Sequence, residues 1–122
     1  MTITFEPAIP ILRIFDEKLA RDFYLGWLGF TLDWEHRFEP GTPLYAQVSR
    51  NGLKLHLSEH VGDGTPGTIV FLPMKGIRDF HAELHSRPWK LYRLGIGPAP
   101  WGGLCMDILD PFGNGLRFAE RE

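Results

Sequence analysis

Glycine and proline cut this chain into short pieces. Gly occurs 14 times and Pro 10 times in 122 residues, about a fifth of the chain against an average of roughly 12%. Turns at that density favour many short elements over a bundle of long helices. The segments between them are regular enough to read. Ile9–Phe15 (IPILRIF) is short, apolar and rich in Ile, as a buried strand is. Asp16 behind it is a good N-cap residue. Leu19, Phe23, Trp27 and Ala20, Tyr24, Leu28 then recur at i, i+4, i+8, which predicts an amphipathic helix of about three turns. Gly29 stands where a C′ glycine ends such a helix. Phe30–Phe38 reads as a strand stopped by Pro40, Gly41 and Pro43. Tyr45–Ser49 and Leu53–Glu59 read as two more strands, joined at Arg50-Asn51-Gly52 by a tight hairpin turn.

A Gly-rich loop over residues 62–67 follows, and behind it the order repeats. Thr68–Leu72 is an apolar strand. Ile77, Phe80 and Leu84 form a shorter helical stripe, ended by Arg87-Pro88. Strands are expected over Trp89–Leu94, Leu104–Leu109 and Gly115–Ala119. Arg21-Asp22-Phe23 recurs as Arg78-Asp79-Phe80, and the same offset carries Leu12-Arg13-Ile14 onto Ile69-Val70-Phe71. The expected architecture is α+β: one domain over 1–122, built of tandem βαβββ units at about 1–61 and 66–122. The units form a curved mixed sheet with the helices on its convex face. Side-chain alternation then sorts the faces. Leu53, Leu55, Leu57, Leu116 and Phe118 turn toward helices. Lys54, His56, Ser58 and Arg117 turn toward the concavity.

Hydrophobic residues at 43% and charged residues at 23% are those of a globular chain. At this length folding buries roughly two thirds of the unfolded surface, so a core forms without staples. A net charge of −2 disfavours an electrostatic nucleic-acid binder. The one cysteine, Cys105, excludes an intrachain disulfide and a Cys-based zinc site. No secretory leader is read at the start, and no apolar run approaches the 18 or so residues of a membrane span. A cytoplasmic protein is expected. GxGxxG, P-loop and GxSxG signatures are missing, which disfavours dinucleotide, NTP and serine-hydrolase chemistry by those routes.

Three segments, ILRIFDEKLARDFYLGWLGF, LKLHLSEH with GTPGTIVFL, and PWGGLCMDILDPFGNGLRF, together resemble the vicinal-oxygen-chelate superfamily. That superfamily holds glyoxalase I, extradiol dioxygenases and bleomycin-resistance proteins. Asp110-Pro111-Phe112-Gly113-Asn114 is similar to its DPxGN turn, and Pro100-Trp101-Gly102 resembles the bleomycin-resistance branch. The metal enzymes of the family take ligands from four strand positions. By resemblance these fall on Ile9, His56, Thr68 and Arg117. Ile9 has no donor atom, and Arg117 puts a permanent cation where the enzymes keep Glu. The resemblance therefore implies a protein without metal or other cofactor and without catalytic residues. It would be a homodimer that sequesters a bulky, flat, cationic antibiotic of the bleomycin type, or a related metabolite, in clefts between subunits. Trp34, Phe38, His56, Trp101 and Arg117 are the ligand-binding candidates. The alternative is a metal-dependent lyase, isomerase or dioxygenase of the same fold with a rearranged ligand set drawn from His36, His56, Glu59 and His60.

Each candidate has a plainer reading. His56, Ser58 and His60 lie at period-2 spacing, which makes either a polar floor for a ligand or a solvated strand face. Leu32, Trp34, His36 and Phe38 share one parity, yet Leu32 belongs in the core. Either the strand twists or bulges near Asp33, or it leaves the sheet toward a partner subunit, or Trp34 is ordinary core. Asp33, Glu35 and Glu39 form either an acidic rim for a cation or an exposed loop. His81 and His85 stand at the i, i+4 spacing of a metal-binding pair. They lie off the apolar stripe and no Glu follows His81, so they read as an exposed helix face. Cys105 reads as a structural thiol with no activating base.

Overall fold

The computed structural model describes residues 2–87, 89 and 94–121. In the first half, β1 (Ile11–Arg13), β2 (Thr31–His36), β3 (Tyr45–Arg50) and β4 (Leu53–Ser58) form a four-stranded sheet in the order β1-β4-β3-β2. Only β1 and β4 run parallel in it. In the second half, β5 (Ile69–Pro73), β6 (Gly97–Pro98), β7 (Leu104–Leu109) and β8 (Gly115–Glu120) repeat that order as β5-β8-β7-β6. Again only the first and last strands of the set, β5 and β8, are parallel. Among the described residues no helix is long and apolar enough to cross a membrane.

α1 (Glu17–Ala20) follows β1 and runs directly into a π-helical stretch (Arg21–Trp27). Asp16 caps it, its carboxylate accepting from the Leu19 amide at 2.8 Å. At the far end Leu28 N–H donates to the Phe23 carbonyl at 2.9 Å, a five-residue hydrogen bond that closes a wider turn than an α-helix does. The helix expected here is thus α-helical only over its first turn and winds wider beyond it. Ala20, Phe23, Tyr24, Trp27 and Leu28 are all buried. Ala20, Arg21 and Leu25 meet Leu32, Ala46, Val48 and Leu57 of the first sheet across one small gap. α2 (Ile77–Ser86) buries Ile77, Phe80 and Leu84 and packs against β7 and β8.

The two halves share one apolar core. Trp27 Nε1–H donates to the Leu84 carbonyl at 3.2 Å, and Arg87 donates to the Trp27 carbonyl at 2.6 Å. Arg50 grips Glu83 with two bonds of 2.7 and 2.8 Å. On the other side of the molecule the Asp110–Asn114 turn folds onto the first half. Asp110 is buried and accepts from Tyr24 Oη, from the Phe112 and Asn114 amides and from Asn114 Nδ2, all between 2.6 and 2.8 Å. Asn114 Nδ2 also donates to the Arg13 carbonyl at 2.7 Å.

The expected strands hold with ends shifted by a residue or two, except at two places. β1 shrinks to Ile11–Arg13 because Ile9 and the residues before it leave the sheet. Of the strand expected over Trp89–Leu94, residues 90–93 lie outside the described part. Trp89 is half-buried, 5.4 Å from Phe23 and stacked on Trp27 at 6.3 Å between ring centroids. The second strand of the second half, in chain order, is instead the two-residue β6. The internal sequence match also dissolves. Leu12 lies opposite Leu57 and Leu72 opposite Phe118 in the two parallel pairs, so Leu12 corresponds to Leu72 and not to Ile69. Arg21 opens the π-helical stretch, whereas Arg78 sits in the first turn of α2. The element order repeats, but the Arg-Asp-Phe match does not superpose.

Candidate functional site

Each sheet has one face packed on a helix and one open face. On the first sheet the open face depends on an irregularity in β2. Leu32 is opposite Val48, and the next pair in register is Trp34 opposite Gln47, which leaves Asp33 as an extra residue. A bulge of this kind reverses the alternation beyond it. Leu32 stays half-buried against the core, while Trp34 and His36 turn to the open face. Glu35 turns the other way and pairs with Arg21 of the helix. The parity conflict in the sequence is thus resolved by the bulge near Asp33.

The open face gathers a group of rings. Trp34 stacks on Tyr45 at 6.0 Å and 12° and meets His56 edge-on at 5.3 Å. Phe38, 76% exposed, packs edge-on against His60 at 6.0 Å, and His60 lies 6.4 Å from Tyr45. Hydrogen bonds tie the group together. The Gln47 amide oxygen accepts from His56 Nε2 at 3.0 Å, so His56 Nδ1 carries the lone pair and accepts from the Tyr45 hydroxyl at 2.6 Å. Gln47 Nε2 and Ser49 Oγ both donate to Asp33 at 2.9 Å. Burial lowers the basicity of His56, which favours this neutral tautomer. Burial, with the Asp63 charge beside it, raises Tyr45 and keeps its hydroxyl a donor. The two donors on Asp33 and the charge of Lys54 lower its pKa.

On the second sheet Phe71, Cys105, Asp107 and Arg117 occupy the open face, with Trp101 leaning on Phe71 at 5.8 Å. Trp101, Cys105, Asp107 and Arg117 line a groove of about 610 Å³ together with Gly95–Pro98 and Pro100. Arg117 is engaged through two nitrogens by Asp107, at 2.8 and 3.3 Å. Its hydrogen bond is the main reason the Asp107 carboxyl sits below its ordinary range. Burial, then the nearby Asp107, raises the Cys105 thiol, so it is protonated near neutrality.

The five sequence candidates therefore fall into two groups. Trp34 and His56 lie on the first sheet with Phe38 just beyond β2, and Arg117 lies on the second with Trp101 in the turn between β6 and β7. Tyr45, Gln47 and Phe71 were not singled out from sequence, although the alternation of Tyr45-Ala46-Gln47-Val48-Ser49 around buried Ala46 and Val48 carried the signal for the first two. Ser58 is corrected: it is buried, donates to Asp63 at 2.8 Å and is no part of a polar floor. Of the three acidic residues, Glu35 is corrected: it faces the helix and pairs with Arg21, while Asp33 stays on the open face with Gln47 and Ser49. His81 is half-buried on α2 and bonded to the Leu94 carbonyl, while His85 is exposed as expected.

In strand register Ile11 lies opposite His56 and Phe71 opposite Arg117, while Ile9 and Thr68, the positions taken by resemblance, precede β1 and β5. Ile11, His56, Phe71 and Arg117 offer one imidazole, two hydrocarbons and a guanidinium. That donor set does not fit a divalent ion.

A family model described as glyoxalase superfamily protein matches residues 1–122. A bleomycin-binding protein from bleomycin-producing Streptomyces verticillus, solved with copper(II)-bleomycin, is 26% identical at a TM-score of 0.71 over 99% of this chain and 100% of that one. A bleomycin resistance determinant encoded on the transposon Tn5 has the same fold, with 21% identity and a TM-score of 0.72 over 97% and 99% of the two chains. So has TnmS3, an antibiotic-binding protein from Streptomyces sp. CB03234, at 19% identity and a TM-score of 0.68 over 98% and 100%. No curated protein sequence matches this chain.

Proposed function

The chain belongs to the glyoxalase superfamily, and from that premise we propose that it is a metal-free binding protein of the cytoplasm. It sequesters a bulky, flat, cationic antibiotic of the bleomycin type, or a related metabolite, in clefts shared by two copies of the chain. On this reading the segments at about 1–61 and 66–122 are two units, each presenting one open sheet. The observation that carries the reading is the pair of exposed aromatic faces. Trp34 over Tyr45 on one sheet and Trp101 over Phe71 on the other each hold an indole about half exposed, at 43% and 53%. Ile11 on the first face and Ile69 and Leu109 on the second add exposed apolar surface around them. Two such faces on one small chain are an interaction surface, and a second copy turned about a two-fold axis sets each face against its counterpart. Flat rings stack on indoles without needing a particular hydrogen-bond pattern. Asp33, beside Trp34, supplies a negative charge for a cationic ligand. The hydrocarbon positions beside His56 and Arg117 support binding without metal chemistry.

Thermal unfolding in the presence of bleomycin tests the reading. A drug at 100 times its dissociation constant adds about 2.7 kcal/mol to stability. No shift at saturating drug removes bleomycin as the ligand. A stoichiometric metal ion that is lost on His56→Ala overturns the metal-free cleft.

A further inference from the structure

We propose that α2 carries a site for one late first-row divalent ion (copper, nickel or zinc) held by His81 and His85, separate from the open sheet faces. The two residues stand one helical turn apart, with ring centroids 4.5 Å apart and planes at 56°. Two imidazole nitrogens about 2.0–2.1 Å from one ion, at an angle near 90°, hold their ring centres about 4.5 Å apart. The centroid spacing of the pair matches that value.

The surroundings of His81 point the same way. Its Nε2–H donates to the Leu94 carbonyl at 3.1 Å. A carbonyl only accepts, so Nε2 carries a proton, and in the neutral imidazole the lone pair is on Nδ1. A backbone carbonyl behind one ring nitrogen is also what orients metal-bound histidines. His85 is exposed and, among the described residues, makes a ring contact with His81 and no hydrogen bond. The apolar stripe of Ile77, Phe80 and Leu84 is buried, His81 is half-buried at its margin and His85 is exposed, so the pair faces solvent on the His85 side. Imidazole donors select copper, nickel and zinc over magnesium or calcium. Two protein ligands leave the remaining positions to water.

The test uses the full chain, freed of metal with a chelator and titrated with copper(II) alone by calorimetry and electron paramagnetic resonance. One ion per chain is expected, with hyperfine splitting from two imidazole nitrogens. His85→Ala is expected to weaken binding about tenfold or more, because the second ligand acts at high effective concentration. Alanine is the best helix former, so the variant keeps α2, which circular dichroism checks. His56→Ala is expected to leave the affinity unchanged. Undiminished binding in His85→Ala, or an affinity that falls instead with His36→Ala, His56→Ala or His60→Ala, overturns the site.

Discussion

Asp110 is a carboxylate buried at the seam between the halves, held by donors from its own turn and from Tyr24. Burial and the neighbouring Asp110 push the Tyr24 phenol well above its ordinary pKa, so it stays a donor throughout the physiological range. Tyr24→Phe deletes that donor and keeps the ring. It is expected to cost about 1–3 kcal/mol, read as a lower urea midpoint at unchanged slope. Trp34 belongs to the ligand reading instead. Its loss removes one stacking face and none of the core. Trp34→Ala is expected to weaken bleomycin binding by about 1–3 kcal/mol, the range for a flat ring on an aromatic side chain, with the unfolding midpoint nearly unchanged. Trp34→Phe should retain most of the affinity. Equal affinities in titration calorimetry for wild type and Trp34→Ala would remove Trp34 from the site.

Among the elements, the β3–β4 hairpin and α2 meet through one carboxylate. Glu83 lies between Arg50 and Arg87, and hydrogen bonds from the two, Arg50 first, bring it from an ordinary 4.5 to about 2. A carboxylate depressed in the folded state contributes stability above its unfolded pKa and loses it as pH falls through the folded one. The window here is about pH 4.5 down to 2. Glu83→Gln is expected to be less stable than wild type at neutral pH and to show a shallower loss across that window. Parallel stability curves for the two proteins between those limits would count against the clamp. The bulge in β2 acts at the same scale. One extra residue sends Trp34 to the open face and Glu35 to the helix, and an unbulged β2 would exchange the two.

At the scale of the whole molecule the proposed cleft needs two chains, which makes a distinctive prediction. A dimer is expected in sedimentation velocity. If the first sheet of one copy faces the second sheet of the other, Trp34→Ala and Trp101→Ala complement each other. In a mixed dimer one cleft carries both changes and the other carries neither. Mixing the two weak binders under conditions of subunit exchange should therefore restore wild-type affinity in about half of the clefts of each mixed dimer. A mixture that binds no better than its components places both indoles in one chain's site, or in none.

The sequence by itself determined the order of the elements, the N-cap at Asp16, the hairpin at Asn51-Gly52 and the faces of β4 and β8. These follow from local rules of periodicity, capping and turn conformation, and Asn51 and Gly52 have the positive φ the hairpin demands. Register was decided only in three dimensions. Pairing across strands placed Ile11 beside His56 and Phe71 beside Arg117. The Asp33 bulge belongs to the same class, because an extra residue is defined by the strand opposite. So does the fate of Ser58, whose buried hydroxyl is satisfied by Asp63. A polar residue at strand parity faces solvent unless a loop returns to cover it, and the return of a loop is a tertiary event.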